Sequence, residues 1–233
     1  FGNSVTGDTG DLTITGNGSF TGAVSNVGAF QVTGDATTSS TIAATSVQLD
    51  NNASLGGNVT ATGNITLSDG DGVVLTADTE LDGDNVTVSS GVSGAFTLTL
   101  DGASSVDVQG AVTTTNLTTE TAATVDSINI GGNLSVAGGT LTVDNGDATV
   151  GGDLTSSSAI SVTSGTLAVT GDASLGGNVT TSGDLTLSDG DGVVLTADTE
   201  LDGDNVTVSS GVSGAFTLTL DGASSVDVQG AVT

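Results

Sequence analysis

The sequence of 233 residues contains no Lys, Arg, His, Cys, Met, Trp, Tyr or Pro. These absences remove the cations that bind phosphate, the thiolate and imidazole ligands of soft metal ions, and the usual general bases of enzymes. Without cysteine, neither disulfides nor thiolate metal sites stabilise the fold, and redox chemistry does not indicate the compartment. We therefore expect a protein that is not an enzyme and that holds no tightly bound cofactor.

The charge of the chain is of one sign only. Its 27 Asp and Glu residues give a net charge of −27, so we expect nucleic acid and anionic membrane surfaces to repel it and cations to be attracted. No apolar run approaches the length of a membrane-spanning helix, and we expect no membrane insertion. An acidic chain with 2% aromatic residues can be disordered, but abundant Val, Ile and Thr and a positive mean hydropathy favour a folded β protein.

The sequence repeats itself at an offset of 120 residues. Residues 53–113 and 173–233 align over 61 positions with four differences, and the 48 positions of 66–113 and 186–233 are identical. Such a copy indicates recent duplication in a gene that grows by adding structural units. Growth of this kind lengthens a fibre but adds nothing to a catalytic domain. Because the chain begins at Phe1 without an initiator Met or a signal segment, we expect an excerpt of a longer protein.

A shorter period is visible as triplets in which two apolar residues flank a third residue. Alternation of this kind predicts β-strands, since neighbouring side chains of a strand point to opposite faces. The later triplets follow one another at steps of 18 to 22 residues. The triplets are Leu12/Ile14, Phe30/Val32, Val47/Leu49, Ile65/Leu67, Val86/Val88, Val106/Val108, Ile128/Ile130, Ala148/Val150, Leu167/Val169, Leu185/Leu187, Val206/Val208 and Val226/Val228.

These short units predict a solenoid. A unit of about 20 residues, with two or three strands separated by Gly, Asp, Asn and Ser turns, cannot bury its own apolar face and needs a copy above and below. We predict an all-β fold in which residues 1–233 form one continuous single-chain parallel β-solenoid of about 12 coils, six to each long repeat. A pair of immunoglobulin-like sandwiches is the alternative, although sandwiches do not require evenly spaced strands.

Several runs of the sequence resemble a known group of proteins. GDLTITGNGSFTGA, GNLSVAGGTLTVDNGD and GDLTLSDGDGVVLTAD are similar to the Gly/Thr/Asn-rich repeats of filamentous haemagglutinin-like and autotransporter-like bacterial surface proteins. The resemblance covers nearly the whole chain and is carried by degenerate repeats. It implies a right-handed parallel β-helix that is secreted or attached to the cell surface and serves as a stalk, fibre or adhesin.

Paired aspartates in predicted turns are candidate ligands for weakly bound Ca²⁺ or Mg²⁺, because these ions prefer oxygen ligands. The spacing from Asp69 to Glu80 matches the first and last ligand positions of an EF-hand loop, but Val74 occupies the position that requires glycine. Solvated turn aspartates are the alternative interpretation. The candidate metal ligands are Asp69, Asp71, Asp82, Asp84, Asp189, Asp191, Asp202 and Asp204.

Two activities known from other β-helices are less well supported. Glycoside hydrolysis needs a carboxylate pair in a cleft that holds a sugar, usually on aromatic side chains, and the chain has no Trp or Tyr. Ice binding needs a regular outward array of threonine. The outward residues that flank the triplets, such as Asp11/Thr13/Thr15 and Ser105/Asp107/Gln109, form an irregular and charged face.

Nine sequons of the Asn-x-Ser/Thr type are candidate glycosylation sites. In a sequence so rich in Asn, Ser and Thr, chance supplies several of them. The candidate residues are Asn17, Asn52, Asn58, Asn64, Asn85, Asn116, Asn133, Asn178 and Asn205.

The expected function is architectural. Neither Phe1 nor Thr233 adjoins a polar capping segment, and uncapped coils predict either further coils or self-association, end to end or laterally. We therefore expect an extracellular structural filament or stalk, secreted or attached to a cell surface. The alternative is an adhesin segment that binds a cell-surface receptor or glycan.

Overall fold

The structure is a computed structural model that describes residues 2–68, 71–188 and 191–233. Over these residues the regular elements are all β-strands, and they stack in parallel as a β-solenoid of about 12 turns with a spacing of roughly 19 residues. The parallel pairing confirms the predicted fold class and excludes the antiparallel sandwiches. The chain divides into two compact units, Phe1–Thr115 and Asn116–Thr233. One continuous solenoid over residues 1–233 stays a prediction.

The first unit contains eleven strands and most of a twelfth, which includes the boundary between the units. The strands are β1 (Val5–Thr6), β2 (Leu12–Ile14), β3 (Gly18–Phe20), β4 (Val24–Val32), β5 (Ala36–Thr38), β6 (Ile42–Leu49), β7 (Ala53–Leu55), β8 (Val59–Ala61), β9 (Ile65–Leu67), β10 (Val73–Leu75), β11 (Thr79–Val88) and β12 (Val92–Thr119).

The second unit begins within β12 and continues with mostly three-residue strands. They are β13 (Ala123–Ile130), β14 (Leu134–Val136), β15 (Leu141–Val143), β16 (Ala148–Val150), β17 (Leu154–Ser156), β18 (Ile160–Val162), β19 (Leu167–Val169), β20 (Ala173–Leu175), β21 (Val179–Thr181), β22 (Leu185–Leu187), β23 (Val193–Leu195), β24 (Thr199–Val208), β25 (Val212–Ser213) and β26 (Leu218–Val228).

Each turn contributes one strand to each of three stacks. In the second unit, β17, β18 and β19 form one turn and pair with β20, β21 and β22 of the next. We name these the first, second and third stacks in that order. Where two stacks are joined without a break, as in β11 and β24, a single long strand serves both. A turn therefore contains three strands, the larger of the two numbers that the sequence predicts.

The predicted triplets form the third stack in both units. In the first unit, Leu12 lies opposite Phe30, and the register continues through Val47, Ile65 and Val86 to Val106. In the second unit, the stack runs from Ile128 to Val226 by the same residue-for-residue pairing. From Phe30/Val32 to Val206/Val208 the flanking residues of each triplet are buried and the middle residue lies on the outer face, whereas the flanking residues of the first and last triplets are partly or fully exposed. The triplet prediction is therefore confirmed at the level of register.

The interior of each unit is a narrow apolar column. Phe20 of the first stack and Phe30 of the third stack meet edge to face, with ring centroids 5.2 Å apart and planes at 73°. Both rings are buried, and in most other turns Leu, Val, Ile and Ala fill the same space. Parallel sheets usually occur with both faces covered, but here one face is open to solvent and the other packs against the opposite stacks. The column is thus completed only by the turns above and below.

The predicted turn at Asp82–Asn85 is wrong. These residues lie within β11, and the register against β12 shifts between Gly83 and Asn85 as at a β-bulge. A Cβ atom on Gly83 would lie 3.1 Å from the Gly63 carbonyl oxygen and from the Ile65 side chain. Glycine is therefore needed for close approach to the preceding turn and not for a chain reversal. The second copy repeats the shift, between Gly203 and Asn205.

Identical sequence lies in two environments. Val106 is 3% exposed, whereas Val226, which is the same residue of the second copy, is 44% exposed. Likewise Val112 is fully buried and Val232 is 60% exposed. Strand bounds differ as well, since β12 runs without a break from Val92 while the second copy divides into β25 and β26. Burial in this fold is therefore set by the neighbouring turn and not by the local sequence.

This difference predicts unequal costs for the same substitution. Leu98 is fully buried and its copy Leu218 is only half-buried. We expect Leu98→Ala to lower the free energy of unfolding by about 2–5 kcal/mol and Leu218→Ala by about 1 kcal/mol or less. Chemical denaturation monitored by circular dichroism measures both. Equal losses in the two variants would contradict the dependence of burial on the neighbouring turn.

The core also holds a few polar side chains, and one of those that the structure describes lacks a hydrogen-bond partner. Thr119 is fully buried, and its hydroxyl oxygen makes no hydrogen bond within the described part of the chain. Thr181 is 5% exposed, and its hydroxyl donates to the Gly183 carbonyl oxygen at 2.8 Å. A buried hydroxyl without a partner costs free energy, whereas a bonded one is close to neutral.

We expect Thr119→Val to raise the free energy of unfolding by about 1 kcal/mol, because it replaces an unpaired hydroxyl with a methyl group of similar size. Thr181→Val is the matched control and should lower it by about 1 kcal/mol, since the Gly183 carbonyl loses its donor. Both are measured by chemical denaturation. A loss of stability in the Thr119 variant would show that its hydroxyl is satisfied in solution.

Candidate functional site: the corner ladder and the paired grooves

A ladder of Asn and Asp side chains lines the corner that precedes the first stack. In the second unit, the Asn133 backbone N–H donates to Asn116 Oδ1 at 2.8 Å, and the Asp153 N–H donates to Asn133 Oδ1 at 2.9 Å. The Asp172 N–H then donates to Asp153 Oδ1 at 3.1 Å. Each side chain therefore satisfies a backbone donor of the next turn, at a corner where the strand ladder is interrupted.

The first unit has the same ladder. The Asp35 N–H donates to Asn17 Oδ1 at 3.0 Å, and the Asn17 amide donates back to Asp35 Oδ2 at 3.2 Å. The amides of Asn51 and Asn52 both donate to Asp35 Oδ1, at 2.7 and 3.2 Å. The Asn52 Oδ1 atom is buried and has no partner among the described residues. This ladder is the feature that the sequence analysis missed.

At the corner before the second stack, an asparagine also bonds to the adjacent turn, but its partner is the longer side chain of glutamate. Asn58 Oδ1 accepts from the Glu80 N–H at 3.1 Å, and the Asn58 amide donates to Glu80 Oε2 at 2.9 Å. Asn178 and Glu200 repeat both contacts in the second unit, at 3.0 and 3.3 Å. Acidic and amide side chains at these corners therefore act in pairs between turns.

Two matching grooves open beside the ladder on the first stack. The Val74 groove has a volume of about 290 Å³ and includes Asp35, Asn52 and Asp71. The Val194 groove has a volume of about 210 Å³ and includes Asp153, Asp172 and Asp191. The remaining lining residues are Ala36, Thr37, Ala53, Ser54, Gly72 and Val74 in one groove, and Leu154, Thr155, Ala173, Ser174, Gly192 and Val194 in the other.

The floor of each groove includes an exposed valine where neighbouring turns carry Ser or Thr. Val74 is 47% and Val194 is 46% exposed. The chain enters each of these turns through a glycine in the left-handed region, Gly72 with φ of 113° and Gly192 with φ of 120°. The lining offers carboxylates, hydroxyls and apolar atoms and no cation.

The structure brings only some of the candidate metal ligands near other carboxylates. Asp69 and Asp189 lie outside the described residues, whereas Asp71 and Asp191 lie in the two grooves. Among the described residues, no group of three or more Asp or Glu side chains is placed to hold a metal ion. Binding of Ca²⁺ or Mg²⁺ stays a prediction.

The remaining candidates take part in contacts between turns. Asp84 accepts a hydrogen bond from the Ser104 hydroxyl at 2.5 Å, and Asp204 accepts the same bond from Ser224. Asp82 and Asp202 lie in β11 and β24, opposite Asp101 and Asp221 of the following turn.

Most sequon amides are occupied by hydrogen bonds between turns. A glycan replaces one N–H of the amide and so competes with these bonds. Asn64 and Asn133 are exposed and Asn116 is half-buried; their Oδ1 atoms accept hydrogen bonds. Glycosylation stays a prediction. Amides that donate include those of Asn17 to Asp35, Asn52 to Asp35, Asn58 to Glu80, Asn85 to Asn64, Asn178 to Glu200 and Asn205 to Asp184.

Comparisons with protein-family models, with curated proteins and with solved structures found no match to this chain. The β-solenoid itself agrees with the fold implied by the haemagglutinin-like and autotransporter-like resemblance, while membership of those families stays a prediction. In the described ranges, no helix has the length and apolar character needed to cross a bilayer.

The ladder predicts that stability depends on the acceptor oxygen of a corner side chain more than on its charge. We expect Asp153→Ala to lower the free energy of unfolding by about 1 kcal/mol, because the Asp172 N–H loses its acceptor. Asp153→Asn keeps an acceptor and removes one charge from a row of carboxylates, so stability should be unchanged or slightly higher. Denaturation with chelator present measures both. Equal losses in the two variants would instead indicate that the carboxylate charge is required.

Proposed function

We propose that this chain is a structural part of an extracellular filament or stalk, of the kind formed by filamentous haemagglutinin-like and autotransporter-like surface proteins. The observation that carries the proposal is the register within each unit. In the first stack, β17 pairs residue for residue with β20, and β20 pairs with β23. A fold built by repeating one contact gains length with each added turn, and length is the property that a fibre requires.

The hydrogen bonds support a mechanical role. The Leu154 N–H donates to the Asp172 carbonyl oxygen of one neighbouring turn at 2.8 Å, and the Ser157 N–H donates to the Val136 carbonyl oxygen of the other at 2.9 Å. Pulling two turns apart must therefore break many such bonds together, on all three stacks. The chain also offers trypsin no Lys or Arg to cleave. Both properties suit a stiff segment exposed to extracellular proteases.

The surface charge supports separation of neighbouring fibres. Outward carboxylates lie in register on successive turns, as Asp82 does opposite Asp101. With no Lys, Arg or His in the chain, these charges have no cationic side chain to offset them. A uniformly negative surface repels a copy of itself and keeps filaments soluble. Divalent cations would weaken this repulsion and favour lateral contact.

The exposed apolar residues around β26 support contact with a further turn. Strand β26 pairs on one side with β24, and Phe216, Val226 and Val232 are 47%, 44% and 60% exposed. Apolar side chains along a strand edge gain about 25 cal/mol per Å² when a further turn covers them. A further turn, whether of a longer parent chain or of a second copy, would continue both the hydrogen-bond ladder and the apolar column.

Electron microscopy of a concentrated solution tests this assembly. We expect filaments whose power spectrum shows a meridional repeat near 4.8 Å, which is about the spacing between adjacent strands. Val226→Asp should shorten them several-fold, because a carboxylate on the exposed apolar edge opposes burial. Thr180→Asp is the matched control, since Thr180 is exposed on the outward side of β21 and the added charge is the same.

Two results would contradict the proposal. One is a compact monomeric particle for the unaltered chain at every concentration tested. The other is equal shortening by Val226→Asp and Thr180→Asp, which would assign the effect to net charge. Circular dichroism of both variants confirms that the turns remain folded.

A further inference from the structure

The sequence contains two Asn-Gly dipeptides, Asn17-Gly18 and Asn145-Gly146. In this dipeptide the missing side chain of glycine leaves its backbone nitrogen free to approach the asparagine side chain. Attack by that nitrogen on Cγ is the usual route of spontaneous deamidation. The two dipeptides lie in different parts of the turn, so their backbone nitrogens and asparagine side chains make different hydrogen bonds.

Asn17-Gly18 is held at three points. The Gly18 N–H donates to the Asp35 carbonyl oxygen at 2.8 Å as part of the strand ladder, and Gly18 is buried within β3. Asn17 Oδ1 accepts from the Asp35 N–H at 3.0 Å, and the Asn17 amide donates to Asp35 Oδ2 at 3.2 Å. Reaching the reactive geometry requires these bonds to open together.

Asn145-Gly146 lies in the bend between β15 and β16, and the Asn145 side chain is exposed. The Asn145 N–H donates to the Asp126 carbonyl oxygen at 3.1 Å. Within the part of the chain that the structure describes, the Gly146 N–H makes no hydrogen bond. The nitrogen that must attack is therefore not held in the ladder, in contrast to that of Gly18.

We propose that Asn145 is a site of spontaneous deamidation in the folded protein and that Asn17 is protected. The Gly146 nitrogen loses its proton and forms a bond to Asn145 Cγ. The bond between Cγ and Nδ2 breaks, and that nitrogen leaves as ammonia after protonation. These steps close a five-membered succinimide ring. Water then opens the ring at either carbonyl, which gives aspartate or isoaspartate at position 145.

The product places a new charge between two existing carboxylates. The Asn145 amide donates to Asp126 Oδ1 at 2.9 Å and to Asp144 Oδ1 at 3.2 Å. Both bonds require N–H donors, and a carboxylate at pH 7 has none. Deamidation therefore replaces two attractive contacts with like-charge repulsion, one of them between successive turns.

Ageing of the intact chain in mildly alkaline buffer tests the assignment. Chymotryptic peptides 142–154 and 13–20 are followed by mass spectrometry, which also separates aspartate from isoaspartate. We expect Asn145 to convert at least about tenfold faster than Asn17 in the folded protein, equivalent to about 1.4 kcal/mol of additional opening free energy at Asn17. In concentrated urea the two rates should become similar. Equal rates in the folded protein, or the same ratio in urea, would overturn the proposal.

The consequence is tested with Asn145→Asp and Asn145→Ser. Both variants lose the amide donor, but only the first adds a charge. At low salt, we expect Asn145→Asp to melt about 2–4 °C below Asn145→Ser, and we expect high salt to remove most of this difference. Equal melting temperatures at low salt would show that the new carboxylate does not face Asp126 and Asp144 closely enough to matter.

Discussion

The stacking of one turn on the next is the constraint on which the rest of this structure depends. A three-residue strand such as β17 forms too few contacts to exist alone, and it becomes stable only between β14 and β20. The backbone hydrogen bonds and the apolar contacts between turns both run along the stacking direction, so one neighbouring turn supplies both. Every other feature, from corner glycines to acidic side chains, is compatible with that repeated contact.

The duplicated segment shows how far this dependence goes. Val106 and Val226 occupy identical sequence, yet one is buried and the other is exposed. Local propensity, composition and pattern are the same for both. What differs is whether another turn covers the residue. In a globular domain, burial follows largely from a residue's own pattern, whereas here a given sequence is core or surface according to its position in the stack.

The third stack could be predicted from sequence because its flanking positions are filled almost throughout by large apolar residues. The first stack was harder to recognise, since its inward positions include Gly18, Ala36 and Thr38. The ladder was missed for a geometric reason. Turns differ in length, so only the structure shows that Asn133 and Asp153 lie side by side, although Asn or Asp does precede several first-stack strands. The bulge at Gly83 was mistaken for a turn because Asp-Gly is typical of both.

The hydrogen bonds at the corners explain part of the acidic composition. A corner N–H needs an oxygen acceptor from the adjacent turn, and both Asn and Asp provide one, as Asn133 and Asp153 do in succession. At these two positions the fold therefore requires the acceptor and not the charge. The charge favours solubility instead, because an apolar column with a neutral surface would associate laterally. Substituting Asp for Asn adds charge without removing the acceptor where the side chain acts as an acceptor, as at Asn133, whereas the corner amides of Asn17 and Asn58 also donate to carboxylates. We expect the same exchange to lower stability at Asn145, where the amide acts as a donor between two carboxylates. The residue that each position accepts therefore depends on whether the neighbouring turn presents a donor or an acceptor.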